Sequence, residues 1–142
     1  MNRNKFIRTC VVGLGVGTLV ESCASSNYYA THGIVDNHID INKSEFTFLK
    51  DKEERQRPFV LVKNEKLEFP ICLYQFEPTE YAALYLQCTH QGCEVNPYHD
   101  YLVCPCHGSE YSNRGKVLQP PAENNLKQFD VRSEGETIII QL

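Results

Sequence analysis

The sequence predicts an all-β domain. Its apolar residues fall in short runs, several of them alternating with polar residues, and such runs are typical of strands. Pro, Gly, Asn and acidic residues separate these runs, as they do at turns. No segment shows a long helical repeat, and strands do not alternate with helices. The pattern therefore argues against a doubly wound α/β fold.

The candidate strands follow one another from residue 38 to the last residue. They are HIDINKSEFTFL (38–49), RPFVLVKNE (57–65), KLEFPICLYQF (66–76), YAALYLQC (81–88), DYLVCP (100–105), LKQFDVRSE (126–134) and ETIIIQL (136–142). The SEGET segment predicts a hairpin turn between the last two, with Gly135 available for positive φ. Cys72, within one of these runs, is expected to be a buried free thiol.

The length, composition and net charge of the chain limit the kinds of protein it can be. A chain of 142 residues has room for one domain with a sizeable core. Hydrophobic residues make up 42% of it and charged residues 23%, a balance typical of a globular protein. The net charge of −4 and the pI near 5.7 argue against nucleic acid as a partner.

The first 22 residues resemble an export signal. Arg3, Lys5 and Arg8 form a basic start, and an apolar stretch follows over residues 9–20. Twelve residues are too few to span a bilayer as a helix, which takes about 20, but they suit a signal peptide. The NRNKFIR segment also resembles a twin-arginine signal in which Asn4 replaces the second arginine.

Small residues surround Cys23, and LVESCASS resembles a bacterial lipoprotein box, in which the cysteine becomes the lipidated first residue. Glu21 departs from that pattern, so another type of signal or a short membrane anchor remains an alternative. Each alternative predicts an exported domain on the periplasmic or outer side of a bacterial membrane. Residues 23–34 are expected to form a flexible tether, and residues 35–142 the domain.

The segment CTHQGCEVNPYHDYLVCPCHGS, residues 88–109, contains four of the seven cysteines and three of the five histidines. A c-type haem needs C-x-x-C-H, and the run from Cys104 to His107 is one residue short of it. Structural zinc would be satisfied by two cysteines and two histidines. Zinc leaves the other pair of cysteines unexplained, however, and its usual C-x-x-C spacing is missing.

The arrangement that uses all of these residues pairs Cys88-x-His90 with Cys104-x-x-His107. Each half offers one thiolate and one imidazole, as a [2Fe–2S] cluster with two cysteines on one iron and two histidines on the other requires. Two loops projecting from a β-scaffold could hold such a cluster between them. Cys93 and Cys106, one in each loop, are then left to form a disulfide, which an oxidising compartment would preserve.

C-T-H-x-G-C followed by C-P-C-H-G-S resembles the signature of Rieske iron–sulfur domains, and the resemblance runs from YLQCTHQGC through FDV. It implies an antiparallel β-sandwich or barrel-like base carrying a small cluster-binding subdomain of two loops, about residues 86–122. The disulfide pair makes this chain more similar to the subunits of quinol–cytochrome c and plastoquinol-oxidising complexes than to oxygenase components.

The resemblance also implies roles for single residues. Cys88 and Cys104 would bind the inner iron, and His90 and His107 the outer, more exposed one. The cofactor would be one [2Fe–2S] cluster.

Ser109 and Tyr111 stand where hydroxyls donate hydrogen bonds to the sulfur atoms of high-potential Rieske clusters. Such donors stabilise the reduced state and raise the potential. The segment VLQPPAENNL, residues 117–126, would be the loop that covers the cluster. It has Pro120 and Pro121 where the family usually has Gly-Pro, and proline cannot reach positive φ.

The expected function is one-electron transfer in a respiratory, quinol-oxidising chain, with a cytochrome as acceptor. Family members in quinol complexes usually carry an N-terminal transmembrane helix, and a lipid on Cys23 is expected to replace it here. Electron uptake is expected to be coupled to proton uptake at His90 or His107. Two alternatives are the electron-transfer subunit of another periplasmic oxidoreductase, of the arsenite-oxidase type, and a ferredoxin that serves an oxygenase.

Overall fold

Strands account for nearly all the regular structure of this protein. The structure, a computed structural model, describes residues 27–142. Over that range the one helical element is a 3-10 turn, Lys43–Phe46. The strands are β1 His32–Val35, β2 His38–Asn42, β3 Thr47–Lys50, β4 Glu53–Gln56, β5 Phe59–Val62, β6 Ile71–Glu77, β7 Glu80–Tyr85, β8 Asn96–Pro97, β9 Tyr101–Val103, β10 Glu110–Ser112, β11 Val117–Gln119, β12 Gln128–Glu134 and β13 Thr137–Gln141.

Seven strands form a curled antiparallel sheet, the base sheet, in the order β1-β2-β13-β12-β7-β6-β5. Residues 28–35 join its two edges. Ala30 N donates to Leu61 O (2.8 Å) and Leu61 N donates to Tyr28 O (2.8 Å) at the β5 edge, after which β1 pairs with β2 at the other edge. One short segment thus forms one edge of the sheet and hydrogen-bonds to the other edge, which requires the sheet to curl. The prediction of an all-β, antiparallel, barrel-like base is confirmed.

The predicted tether is wrong over residues 28–34, because this stretch belongs to the folded domain. Tyr28 Oη donates to Glu45 Oε2 (2.8 Å), and the same carboxylate accepts a bond from Thr31 N (3.1 Å). The guanidinium of Arg57 lies 3.9 Å from the centre of the Tyr28 ring. These partners are distant in the sequence, so no local pattern around Tyr28 reports them. The predicted signal, residues 1–22, and Cys23 lie outside the described residues.

Strands β5, β6 and β7 are buried on both faces. Alternate residues, such as Ile71 and Leu73 on β6, point into the interior of the curled sheet and pack with Ile140 of β13. The residues between them, Cys72 and Tyr74, belong to a second core on the opposite face. This double burial explains why these strands read as nearly continuous apolar runs. Cys72 is fully buried and is not disulfide-bonded, as predicted.

A four-stranded sheet, the small sheet, in the order β11-β10-β9-β8, provides the other half of this second core. Leu102 of β9 and Tyr111 of β10 are fully buried and pack with Leu84 of β7 in it. Beside them, the guanidinium of Arg114 lies 3.9 Å from the Phe76 ring centre and forms an ion pair with Glu80 (2.6 Å). Of the small sheet only β9 was predicted, within residues 100–105, since its strands are only two or three residues long.

Other predicted strands differ from the observed ones at their ends. Residues 38–49 are divided by the 3-10 turn, and β6 begins only at Ile71, directly after Pro70, which has no backbone N–H to donate. The hairpin between β12 and β13 is confirmed, with Gly135 at φ +56°. In the part of the chain that the structure covers, no helix has both the length and the apolar character to cross a membrane.

Candidate metal centre

Two loops of the same local design lie next to each other at the tip of the small sheet. Loop 1, residues 86–95, follows β7, and loop 2, residues 104–109, follows β9. In loop 1, Gly92 N donates to Cys88 O, and Cys88 N donates to Cys93 O (both 2.8 Å). Loop 2 repeats the pattern: Gly108 N donates to Cys104 O (3.0 Å), and Cys104 N donates to Ser109 O (2.8 Å).

A glycine makes each of these turns possible. Gly92 has φ +76° and Gly108 φ +78°, in the left-handed region that side chains with a Cβ rarely adopt. In each turn, backbone N–H groups further along the loop act to lower the pKa of the cysteine thiol: those of His90 and Gln91 for Cys88, and those of Cys106 and His107 for Cys104.

The four predicted ligands come together across the two loops. Cys88 and Cys104 are 3% and 2% exposed, and they are close enough for each thiol to shift the pKa of the other. His90 and His107 are exposed, and their ring centres lie 5.0 Å apart with the rings at 88°. The site therefore has two sulfur donors on its inner side and two imidazoles on its outer side.

The two thiols differ in acidity. Burial acts to raise the pKa of Cys88, but the hydrogen bonds from Tyr111 and from the His90 backbone outweigh it, and the pKa is lower than usual. Burial and the adjacent Cys88 sulfur raise the pKa of Cys104. One proton between two close sulfur atoms explains the opposite directions. Once both sulfurs bind iron, neither keeps a proton.

A disulfide between Cys93 and Cys106 joins loop 1 to loop 2, as predicted, with an S–S distance of 2.05 Å. The sulfur of Cys104 lies within 4.8 Å of both disulfide sulfurs. Because Cys93 and Cys106 are bonded to each other, they are not available as thiolate ligands. The free thiols and imidazoles that remain in the two loops are those of the predicted two cysteines and two histidines.

Two hydroxyl side chains in and next to loop 2, those of Ser109 and Tyr111, are buried. Tyr111 Oη lies 3.3 Å from Cys88 Sγ. Burial and the Cys88 sulfur raise the pKa of Tyr111, so the phenol keeps its proton and can donate it. Ser109 is fully buried, and its Oγ accepts a hydrogen bond from Ala122 N (2.9 Å), which leaves its own O–H free to donate elsewhere.

The covering loop, residues 117–126, is hydrogen-bonded to both loop 1 and loop 2. Gln119 Nε2 donates to Gly108 O (3.1 Å), and Ala122 N donates to Ser109 Oγ, so loop 2 is contacted twice. Asn124 O accepts a hydrogen bond from Thr89 of loop 1 (2.7 Å). Pro120 is exposed and Pro121 half-buried. Proline at these positions is compatible with a loop that packs against both metal-binding loops.

A comparison with protein-family models matches residues 43–130 to the Rieske [2Fe-2S] domain. The chain belongs to the Rieske family. Its cofactor is one [2Fe–2S] cluster, as predicted, and not a zinc ion. The donor set of this Rieske domain fits that group, because two free thiols and two imidazoles are the donors that such a cluster requires.

Individual Rieske proteins show where the similarity lies. The chain is 42% identical over 57 residues to the chloroplastic cytochrome b6-f complex iron-sulfur subunit of Fritillaria agrestis, which covers 37% of this chain and 25% of that protein. It is 44% identical over 55 residues to the cytochrome b6-f complex iron-sulfur subunit of Chlorobaculum thiosulfatiphilum, covering 37% and 30%. The matched part is thus less than a third of the length of these two relatives.

A solved structure covers more of the chain. The cyanobacterial plasma membrane Rieske protein PetC3 from Synechocystis PCC 6803 is 30% identical, with a TM-score of 0.53, over 60% of this chain and 87% of that one. This Rieske domain is therefore similar both to iron–sulfur subunits of cytochrome b6-f complexes and to a plasma membrane Rieske protein.

Sequence reasoning missed one polar residue of the site. Thr89 lies between two predicted ligands in loop 1, and its hydroxyl is 3.0 Å from Tyr111 Oη. A threonine beside a cysteine is unremarkable in a sequence, and its partners, Tyr111 and Asn124, are 22 and 35 residues away. Only the packing of loop 1 against β10 and the covering loop reveals the contact.

Proposed function

We propose that this Rieske protein carries single electrons in a membrane-bound, quinol-oxidising system, with Cys88, Cys104, His90 and His107 as the cluster ligands. The observation that carries the proposal is the asymmetry of the site. Both sulfur donors are buried, whereas both imidazoles are exposed at the tip of the domain. A redox partner or a quinol can therefore reach the histidine side without any opening of the fold.

Each part of the site has a distinct task in this proposal. The cluster, when bound, takes up and gives back one electron. The two thiolates hold it from the protein side. The exposed imidazole edges of His90 and His107 offer the ring nitrogens that can exchange a hydrogen bond or a proton with a partner. The phenol of Tyr111 donates toward Cys88 and favours the reduced state, so we expect a potential in the upper part of the Rieske range.

The quinol-oxidising context is supported by the disulfide and the two hydroxyls. Cys93 and Cys106 join the two loops. Ser109 and Tyr111 are both buried beneath the site. These four residues distinguish the quinol-oxidising type of Rieske protein from the oxygenase type, and the relatives named above are subunits of cytochrome b6-f complexes. We infer a cytochrome as the electron acceptor.

A second candidate is a separate electron carrier, or the small subunit of another exported oxidoreductase. The similarity to PetC3 favours it, because that match covers most of a plasma membrane Rieske protein, whereas the matches to cytochrome b6-f subunits cover at most 30% of the two subunits described. The electron-transfer chemistry is the same in both cases. The two candidates differ in whether the domain works inside a stable complex.

We also propose that the domain is exported and tethered to the membrane by a lipid on Cys23. The basic and apolar pattern of residues 1–22 supports export, and the disulfide between Cys93 and Cys106 suits an oxidising compartment. Mass spectrometry of the membrane fraction should show a diacyl or triacyl modification on Cys23. A Cys23→Ala variant should then move the domain to the soluble fraction with its cluster intact.

The electron-transfer proposal is tested on the full-length protein by EPR-monitored redox titration. The expected result is a Rieske-type spectrum with a high midpoint potential, together with loss of the reduced signal when oxidised cytochrome c is added. A low potential would favour the oxygenase-ferredoxin class and would contradict the quinol-oxidising assignment. Co-purification with a cytochrome b would separate the complex subunit from the separate carrier.

A further inference from the structure

Thr89 lies at the meeting point of loop 1, the small sheet and the covering loop. Its side chain is half-buried, between Cys88 and His90 in the sequence. Its Oγ1 is 2.7 Å from Asn124 O and 3.0 Å from Tyr111 Oη. The hydroxyl therefore has two oxygen partners, and it has a single hydrogen to donate.

The chemistry of the partners decides where that hydrogen goes. The carbonyl oxygen of Asn124 can only accept, so the short bond of 2.7 Å must be donated by Thr89. Thr89 then has no hydrogen left for Tyr111. The 3.0 Å contact between the two hydroxyls must therefore be donated by Tyr111 to Thr89.

The hydroxyl of Tyr111 also has a single hydrogen to donate, and two acceptors lie within reach of it. Its oxygen accepts a bond from Thr89 N (3.2 Å), and its O–H lies between Thr89 Oγ1 at 3.0 Å and Cys88 Sγ at 3.3 Å. An iron-bound cysteine sulfur carries no proton, so it can only accept. The hydroxyl of Thr89 and the sulfur of Cys88 thus compete for the same hydrogen.

We propose that Thr89 is a positioning residue that draws part of the Tyr111 hydrogen bond away from Cys88 and so holds the potential of the cluster below the value that Tyr111 would otherwise set. This inference rests on the proposed function, because it takes Cys88 as a ligand. Donors to a ligand sulfur stabilise the reduced state, so weakening the donation lowers the potential.

The covering loop is part of this arrangement. Thr89 accepts from Tyr111 because its own hydrogen is held by Asn124 O. If that bond breaks, Thr89 can turn its hydrogen toward Tyr111, and the Tyr111 hydrogen is left to Cys88. A movement of the Asn124 carbonyl would therefore change the hydrogen bond that Cys88 Sγ receives, through the hydroxyls of Thr89 and Tyr111.

The test compares midpoint potentials of full-length holoprotein variants by EPR-monitored titration. Thr89→Val has nearly the same shape but offers no acceptor, so the midpoint potential should rise. Thr89→Ser keeps the hydroxyl and should return the wild-type value. The exposed carbonyl of Asn124 can bind water in the valine variant.

Tyr111→Phe provides the control for the pathway. It should lower the potential, and by more than Thr89→Val raises it. Adding Thr89→Val to Tyr111→Phe should then produce no further shift, because the shared hydrogen is gone.

Two results would overturn the inference. One is a potential that falls or stays unchanged in Thr89→Val. The other is a rise of the same size in the Tyr111→Phe background, since that rise would come from packing and not from the shared hydrogen. Failure of the proposed function is recognised separately, by a wild-type protein without a Rieske EPR signal or by a Tyr111→Phe variant with an unchanged potential.

Discussion

The interior of the base sheet and the cluster-binding tip are built in different ways. The tip consists of the small sheet, loops 1 and 2 and the covering loop. The interior is a packed apolar core in which Ile39, Ile41, Ile138 and Ile140 are fully buried on paired strands of five residues. The tip has strands of two or three residues, and its two loops are held by backbone hydrogen bonds, two buried hydroxyls and a disulfide.

The difference follows from what each region must expose. A base sheet can bury its residues and gain stability from apolar area alone. The tip must leave two histidines accessible, so it cannot bury itself and needs covalent and polar links instead. The two regions meet at the second core, where Leu84 of the base sheet packs with Leu102 and Tyr111 of the small sheet. The contacts of Arg114 with Phe76 and Glu80 join them beside that core.

The largest expected effect is loss of the cofactor from the tip with the base intact. Cys104→Ser should bring the iron content of the purified protein to background, because a buried thiolate ligand is removed. The far-UV circular dichroism should keep its β-sheet form, since Cys104 lies outside the interior of the base sheet. Retention of a normal Rieske EPR signal would disprove the ligand assignment.

Cys72→Ser is the matched control for that variant. Cys72 is also buried and free, but it lies on β6 and is not in either metal-binding loop. Its replacement by a hydroxyl should lower the free energy of unfolding by about 1–3 kcal/mol, the cost of burying an unpaired polar group. The cluster should remain.

A second prediction concerns a substitution that destabilises the base sheet and leaves the cluster-binding tip unchanged. Ile140→Ala should lower the free energy of unfolding by about 2–5 kcal/mol, because a fully buried side chain leaves a cavity in the base-sheet interior. Urea denaturation measures the loss, and the midpoint potential should not change. Ile139→Ala is the control: Ile139 is adjacent but lies outside that interior cluster, so its cost should be smaller. Equal costs would contradict the packing described for β13.

A third prediction weakens the tip alone. The disulfide closes a loop of 13 residues in sequence separation, and removing it by Cys93→Ser with Cys106→Ser should cost about 3 kcal/mol. The visible absorption of the cluster should disappear at a lower temperature than in the wild type. The far-UV transition of the base sheet should move less. Equal shifts in the two transitions would show that tip and base unfold as one unit.

The smallest expected effect concerns Gly115, at the contact between the tip and Leu84 of the base sheet. Gly115 has φ +77°, and a Cβ there would lie 2.8 Å from Leu84 Cδ2. Gly115→Ala should therefore cost more than the left-handed backbone alone, which is about 1–2 kcal/mol. Gly135→Ala is the control, because Gly135 has φ +56° and no atom within 4 Å of such a Cβ. Thermal unfolding of both variants measures the difference, and equal losses would mean that Leu84 moves aside without cost.

The parts of this protein that could be predicted are those that local chemistry dictates. Alternating apolar runs predicted the strands of the base sheet, and Gly135 predicted the last hairpin. The spacing Cys88-x-His90 and Cys104-x-x-His107 pointed to the cluster, because metal ligands must occur in the right types and close together. The remaining two cysteines of that segment then predicted the disulfide that the structure shows.

The parts that were missed depend on contacts between distant residues. The segment from residue 28 to 34 looked like a tether, since its contacts with Glu45 and Arg57 leave no periodic pattern. Strands β8, β10 and β11 are too short to show a period, and they form because the small sheet covers an apolar face of β5–β7.

By itself, the sequence determined the fold class and the cofactor, and it singled out the residues proposed to hold that cofactor, because strand periodicity and ligand spacing are properties of neighbouring residues. The tertiary structure alone decided how the segment from Tyr28 to Val35 joins the two edges of the base sheet, how the covering loop contacts loops 1 and 2, and which hydroxyls share a hydrogen. Those features depend on distance and direction between residues such as Thr89, Tyr111 and Asn124, and only the folded chain brings them within hydrogen-bonding range.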